Sequence, residues 1–138
     1  MCEGGSTVVQ FDQIGDAQPI PNTHATALYR VAQEAVKNAC THAQACAVLV
    51  RLQFDARTIA LIVQDNGQGF DVHGVLADGS RGIGLRNMRE RLEALDGQFL
   101  VHSSRQGTRI LACLPSQHAT ASDAEQPHSR FDSSYAPA

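Results

Sequence analysis

Residues Tyr29 to Ala43, reading YRVAQEAVKNACTHA, fit one regular conformation that gives every side chain a consistent place. On a helix, residues three and four apart stand on one face. Leu28, Val31, Ala32, Ala35, Val36 and Ala39 then make a single apolar stripe. Arg30, Glu34, Asn38 and His42, spaced by four, make one polar ridge along its margin. Gln33 and Lys37 point toward water, and Cys40 also lies off the stripe. A stripe of this width must be covered by a second layer of structure. The ridge sits where a helix can hold polar groups against a ligand. The solvated side of an ordinary amphipathic helix has the same pattern.

Runs of period two supply the second layer. Thr7 to Phe11 reads as a short strand, and Asp16 to Asn22, with Pro19 and Pro21, as a loop. Asn22 or Thr23 is suited to cap the helix, which runs to about His42 or Gln44. Cys46 to Phe54 is apolar and then alternating, so it reads as a strand. A tight turn at Asp55-Ala56-Arg57 leads to a second strand, Thr58 to Gln64. Asp71 to Arg81 has weak periodicity and contains Gly74 and Gly79, which predicts a mobile loop. A helix opens at Gly82 with Leu85, Met88, Leu92 and Leu95 on one face. Gly97 is placed as its C′ residue. Gln98 to Ser103 and Thr108 to Leu114 are two further strands, joined across Ser104 to Gly107 and ended by Pro115. The expected fold is α+β: a two-layer sandwich with helices on one face of a mixed, mostly antiparallel sheet.

The chain of 138 residues is long enough for one domain with a proper core, placed at residues 7–115. Residues 1–6 read as a flexible end. Residues 116–138 are rich in Ser, Ala and Asp and poor in aliphatics, so disorder is expected there. A formal net charge of -3 gives no nucleic-acid footprint. No apolar run reaches the roughly 20 residues that cross a bilayer. The first residues, MCEGGSTVV, lack the pattern of a signal peptide. Cys2, Cys40, Cys46 and Cys113 show no CxxC spacing. The last three read as small core residues in a reduced, cytosolic chain. No Cys or His cluster has the spacing of a zinc site.

Three segments can carry chemistry. Asp65 follows an apolar strand and precedes Gly67 and Gly69. An ionised Asp only accepts hydrogen bonds, which suits an exocyclic amine such as adenine N6. The two glycines let backbone approach a flat base. Asp-Asn-Gly is equally strong turn chemistry. Gly82-Ile83-Gly84 opens a helix, and backbone N–H groups at such a terminus bind phosphates, with Arg81 and Arg86 nearby. It is neither a P-loop nor a Rossmann turn. Asn38 offers a carbonyl oxygen to magnesium, which takes hard oxygen ligands and keeps waters and phosphates. Glu34, one turn earlier, is placed to orient or deprotonate a hydroxyl or water near a terminal phosphate. His42 either contacts phosphate or closes the helix favourably.

In order and spacing these segments resemble the catalytic ATP-binding domain of two-component sensor histidine kinases. That family shares a superfamily with gyrase, mismatch-repair ATPases and heat-shock chaperone ATPases. Gln33 to Ala43 (QEAVKNACTHA) is similar to the N box in the form of the nitrate/nitrite-sensor-like class. Asp65 to Phe70 resembles the G1 box, and Gly82 to Arg91 the G2 box of that class. Gly107-Thr108 resembles the closing glycine-threonine element. The resemblance implies that Asn38 ligates Mg2+ and that Glu34 assists transfer. It implies that Asp65 binds adenine N6, that Gly67 and Gly69 shape the base pocket, and that Thr108 supports adenine through its hydroxyl by way of water. Residues 71–81 would be the ATP lid, with Gly82 and Gly84 at its phosphate end and Leu85 and His42 also against the nucleotide. Two positions depart from the pattern. Thr41 replaces the Lys often found before the N-box His, which weakens phosphate contact. Arg105 replaces a Gly, which stiffens its turn.

The implied cofactors are ATP and Mg2+. The implied partners are a histidine-bearing dimerisation domain and, downstream, a response regulator. No histidine here stands in the H-D-x-x-x-Q setting of that acceptor, and no dimerising hairpin precedes residue 7. The expectation is a catalytic domain acting on an acceptor elsewhere. It is expected to be monomeric when isolated, with no membrane contact of its own, cytoplasmic even where a parent kinase is membrane-anchored. Two other readings stay open: a nucleotide-binding regulatory module of the anti-sigma kind, and an ATP hydrolase using Glu34 as base for water.

Overall fold

A computed structural model of the chain describes residues 6–41, 44–77 and 82–116. The elements run β1 (Val8–Ile14), α1 (Asn22–Thr41), β2 (Ala47–Phe54), β3 (Thr58–Asp65), α2 (Val72–Ala77), α3 (Ile83–Glu93), β4 (Gln98–Ser104) and β5 (Gly107–Pro115). One sheet of order β1-β2-β3-β5-β4 carries them. β1 and β2 pair in parallel, with α1 as the crossover, and the other three pairings are antiparallel. Helix α1 lies over β2, β3 and β5, and α3 over β4 and β5, so the expected two-layer sandwich is the observed one.

The α1 stripe is buried where the sequence placed it. Leu28, Val31, Ala35 and Ala39 pack on Val48, Val50, Ile59, Leu61, Val63, Ile110 and Leu114. From α3, Leu85, Met88 and Leu92 join the same core. Central strand β3 is apolar on both faces. Ala60 and Ile62 meet Leu111 and Cys113 on the side away from the main core. At the sheet margin β1 stays open, with Phe11 67% exposed. It is tied to β2 by the Arg51 guanidinium, which donates to both Asp12 oxygens at 2.8 and 3.0 Å.

Several local expectations are corrected. Neither Asn22 nor Thr23 stands outside α1 as a cap. Both are helical, because Pro21 fixes the entry and its carbonyl accepts the Ala25 N–H. Strand β1 extends three residues past Phe11 to Ile14, following its parallel register on β2. The segment after Asp71 is not all loop: residues 72–77 form α2, whose first full turn closes with Val75 N–H on the Asp71 carbonyl. The left-handed residue after α3 is Asp96 (φ 60), not Gly97. Gly97 follows it and donates back to the Leu92 carbonyl. Its missing Cβ answers packing, since one would lie 2.6 Å from the Cys113 carbonyl oxygen. Pro115 is the last residue of β5 rather than its stop, because it pairs with Thr58. Of the tail expected at 116–138, Ser116 is instead buried and ordered, its N–H on the Arg57 carbonyl at 2.9 Å and its hydroxyl on the Ala56 carbonyl at 3.0 Å, and residues 117–138 lie outside the described residues.

The cysteines also differ from expectation. Cys113 is buried, but Cys40 is an exposed free thiol on the far side of the α1 stripe, and Cys46 is half-buried and disulfide-bonded. Burial pushes the Cys113 thiol up to about 11. The nearby Thr58 hydroxyl pulls the other way without a hydrogen bond of ordinary geometry. Thiolate is the reactive form. Thiol reagents at neutral pH are therefore expected to modify Cys40 in the native state and Cys113 only on unfolding. Mass mapping of the labelled chain checks this, and native labelling of Cys113 would contradict it.

Asp12 gives the fold a pH dependence. Its hydrogen bonds from Arg51 outweigh desolvation and hold the carboxyl below its ordinary value of 3.8. A lowered folded value means that the pair's support is present above 3.8 and is lost as pH falls through the folded value. The pair is only half-buried at the sheet margin, so the effect is small and local. Amide protection in β1 is expected to exceed that of Asp12→Asn at neutral pH and to converge with it in strong acid. Equal protection at neutral pH would contradict this.

Candidate functional site

A cavity of about 390 Å³ opens between α1, α3 and the ends of β3 and β5. That is the size of a small-molecule site. The period of α1 that buries Val31, Ala35 and Ala39 brings Glu34 and Asn38 to its wall, both half-buried. Arg30 of the same ridge is exposed and does not line the cavity. Lys37 does line it, instead of pointing only to water. Thr41 turns back on its own helix and donates to the Lys37 carbonyl at 2.7 Å. His42 and Arg81 lie outside the described residues.

The sheet side is built around Asp65. Its Oδ1 accepts the Gly67 N–H at 2.8 Å and the Thr108 N–H at 3.2 Å. Both bonds fall on one oxygen, so Oδ2 keeps its acceptor capacity among the described residues. Gly67 thus holds the carboxylate and is not on the cavity wall, whereas Gly69 is. Gly69 (φ +73) brings its backbone against the Ser104 carbonyl, where a Cβ has no room. Gly107 (φ +137) does the same against the Asp65 carbonyl. These two glycines close the G1-like loop and the β4–β5 turn onto each other. Asn66 braces the loop from behind, its Oδ1 accepting N–H groups of Cys46 and Ala47, both at 2.9 Å.

Thr108 is 6% exposed and lines the cavity. Its hydroxyl lies 2.8 Å from Ser103 Oγ, which accepts the Phe70 N–H at 2.8 Å. Apolar wall comes from Ala39, Val63, Phe70, Val75, Leu85 and Ile110. Gly82 caps α3 by backbone alone and is buried away from the wall. Gly84 faces Glu34, whose carboxylate fills the space that a Cβ would need.

The cavity therefore gathers Glu34, Asn38, Asp65, Gly69, Gly84, Leu85 and Thr108 of the sequence-derived set, and leaves Gly67 and Gly82 as supports. Sequence reasoning missed Lys37, Ser103 and, apart from Leu85, the apolar wall. Ser103 had one available signal, its place directly across the β4–β5 hairpin from Thr108. No group of three or more His, Cys, Asp or Glu able to hold a metal occurs among the described residues. The oxygens of Asn38 and Glu34 fit a hard cation that takes most of its ligands from phosphates and waters.

The chain belongs to the histidine kinase-, DNA gyrase B- and HSP90-like ATPase family, whose model matches residues 23–118. A sensor histidine kinase of Rhizobium johnstonii, MctS, is 46% identical over 90 residues, covering 65% of this chain and 20% of the relative. The histidine-protein kinase/phosphatase DegS of Bacillus subtilis is 32% identical over 114 residues, covering 80% of this chain and 30% of that one. The chain thus spans under a third of the length of these relatives. Among solved structures, the Acinetobacter baumannii histidine kinase AdeS superposes with a TM-score of 0.67 at 16% identity, over 82% of this chain and 56% of that chain. The histidine kinase domain of the Erythrobacter litoralis blue-light activated kinase gives 0.62 at 20%, over 81% and 57%. These two show a shared fold. No helix among the described residues is long and apolar enough to cross a membrane.

Proposed function

We propose that this chain binds Mg-ATP and donates its γ-phosphoryl group to a histidine on a separate helical dimerisation domain, from which it passes to an aspartate of a response regulator. The observation that carries the proposal is one cavity joining an adenine-type acceptor, Asp65, to an oxygen pair on α1, Glu34 and Asn38. Family membership and the named sensor kinases support it. The functional domain is residues 7–115, monomeric in isolation. The site is cytoplasmic, where ATP and response regulators are found, and makes no membrane contact.

Asp65 Oδ2 accepts from the base amine while Gly69 lets the backbone lie against the ring. Val63, Ile110 and Leu85 exclude water from its faces. The backbone N–H groups that begin α3 face the phosphates, with Gly82 and Gly84 at that end. Asn38 would hold Mg2+, which when bound would supply charge neutralisation at the phosphates. Phosphoryl transfer depends chiefly on positioning and charge neutralisation. Glu34, held against Gly84, orients the acceptor imidazole by accepting from its ring N–H and takes that proton as the other, unprotonated ring nitrogen bonds to the γ-phosphorus and ADP leaves.

The test is calorimetric titration of the domain with ATP, with and without magnesium. It is followed by labelled ATP with the histidine-bearing helical domain of the parent kinase. Binding and label transfer are expected. Binding without transfer would favour the regulatory-module reading. Phosphate release without any acceptor would favour hydrolysis, and absent binding would end the proposal.

A further inference from the structure

Register places Ser103 of β4 directly opposite Thr108 of β5. A serine hydroxyl has one proton and two lone pairs. The Phe70 N–H occupies one lone pair of Ser103 Oγ at 2.8 Å. The serine proton then has one acceptor in reach among the described residues, Thr108 Oγ1 at 2.8 Å. The opposite direction would make Ser103 accept twice and leave its own proton without a protein acceptor. With Ser103 donating, the Thr108 oxygen is satisfied and its proton is released. Thr108 is buried and lines both this cavity and a cleft of about 80 Å³ beside the β4–β5 turn, and only the cavity of about 390 Å³ has room for a base to take the proton.

We propose that Ser103 is a positioning residue that fixes the Thr108 hydroxyl as a donor into the cavity, and so sets which ring nitrogen a bound purine must present beside its amine. The proposal rests on the ATP reading above. Beside Thr108, Asp65 has Oδ1 filled by the Gly67 and Thr108 N–H groups and Oδ2 left to accept. The cavity thus presents an acceptor next to a donor. Adenine presents the complement: an amine flanked by the acceptors N1 and N7. A 6-oxo purine places an acceptor where Asp65 also accepts. Asp65 reads the amine. The hydroxyl direction set by Ser103 reads the neighbouring nitrogen, directly or across one water.

The test measures affinities of the domain for ATP, 1-deaza-ATP, 7-deaza-ATP and purine riboside triphosphate, which lacks the amine, using wild type, Ser103→Ala and Ser103→Thr. In wild type, one deaza analogue is expected to bind about fivefold more weakly than ATP, the worth of one hydrogen bond. In Ser103→Ala that penalty disappears while the penalty for losing the amine persists, and Ser103→Thr restores it. Deaza penalties unchanged in Ser103→Ala would overturn the assignment. So would the loss of every contrast together, which would mean that Ser103 only anchors Phe70. Wild-type chain that binds none of the four would instead sink the nucleotide reading, and this assignment with it.

Discussion

Asp65→Asn is expected to lower ATP affinity by about a hundredfold or more while leaving the fold intact. The reason lies in how the two carboxylate oxygens are used. Oδ1 accepts from Gly67 at 2.8 Å and from Thr108 at 3.2 Å. An asparagine must offer its one oxygen either to those donors or to the cavity. Turning its amide toward the two N–H groups sets donor against donor in a buried place. The side chain will therefore keep its oxygen inward and its amide outward. The fold then keeps both hydrogen bonds, and the cavity gains a donor where the base amine also donates. Affinity falls twice over, through a lost bond and through an unpaired polar group. The same inversion should favour a 6-oxo purine nucleotide over ATP in the variant. Calorimetry with ATP and ITP, beside a melting curve, checks all three points. Unchanged ATP affinity would remove Asp65 from the base site.

The parts of this chain most legible in sequence are those where one local rule dominates. The stripe Leu28, Val31, Ala35 and Ala39 is set by helical period, and it is buried. Burial of that stripe also fixes where Glu34 and Asn38 point, so two cavity residues came with the helix. The Asp55 turn was legible from its own chemistry, with the Asp55 N–H on the Thr58 carbonyl at 2.9 Å. What could not be read depends on pairing between distant segments. Parallel pairing extends β1 to Ile14, although Gln10, Asp12 and Gln13 give it no apolar alternation. Gly97 fits a helix end by its conformation, but contact with β5 across the core decides it. Turn chemistry or ligand chemistry at Asp65 could not be chosen locally. The Thr108 N–H that fills one oxygen comes from 43 residues away. Ser103 is the same kind of case, since its role exists only once β4 and β5 are in register.

Glu34→Gln should separate binding from transfer. Its expected effect is a fall of about 10²–10⁴ in the rate of label transfer to the acceptor histidine, the usual range for a positioned acid–base group. ATP affinity should change by no more than about threefold, since the base lies with Asp65 and one hydrogen bond is the most that Glu34 contributes to the bound nucleotide. Volume is conserved, and Glu34 is half-buried at the cavity wall, so stability should hold. Gly84→Ala offers a second approach through a different residue. The added Cβ meets the Glu34 carboxylate, the far end of a flexible side chain, which can swing aside without unfolding α3. That variant should therefore lose transfer in part and retain binding. Adding Glu34→Gln to it should cost little more than Glu34→Gln alone, because both act through one group. Rapid-quench transfer assays at saturating ATP measure this directly. Full transfer activity in Glu34→Gln would remove the residue from the chemistry and leave positioning to Asn38 and the α3 terminus. A loss confined to acceptor-free phosphate release would instead make the domain a hydrolase with Glu34 acting on water.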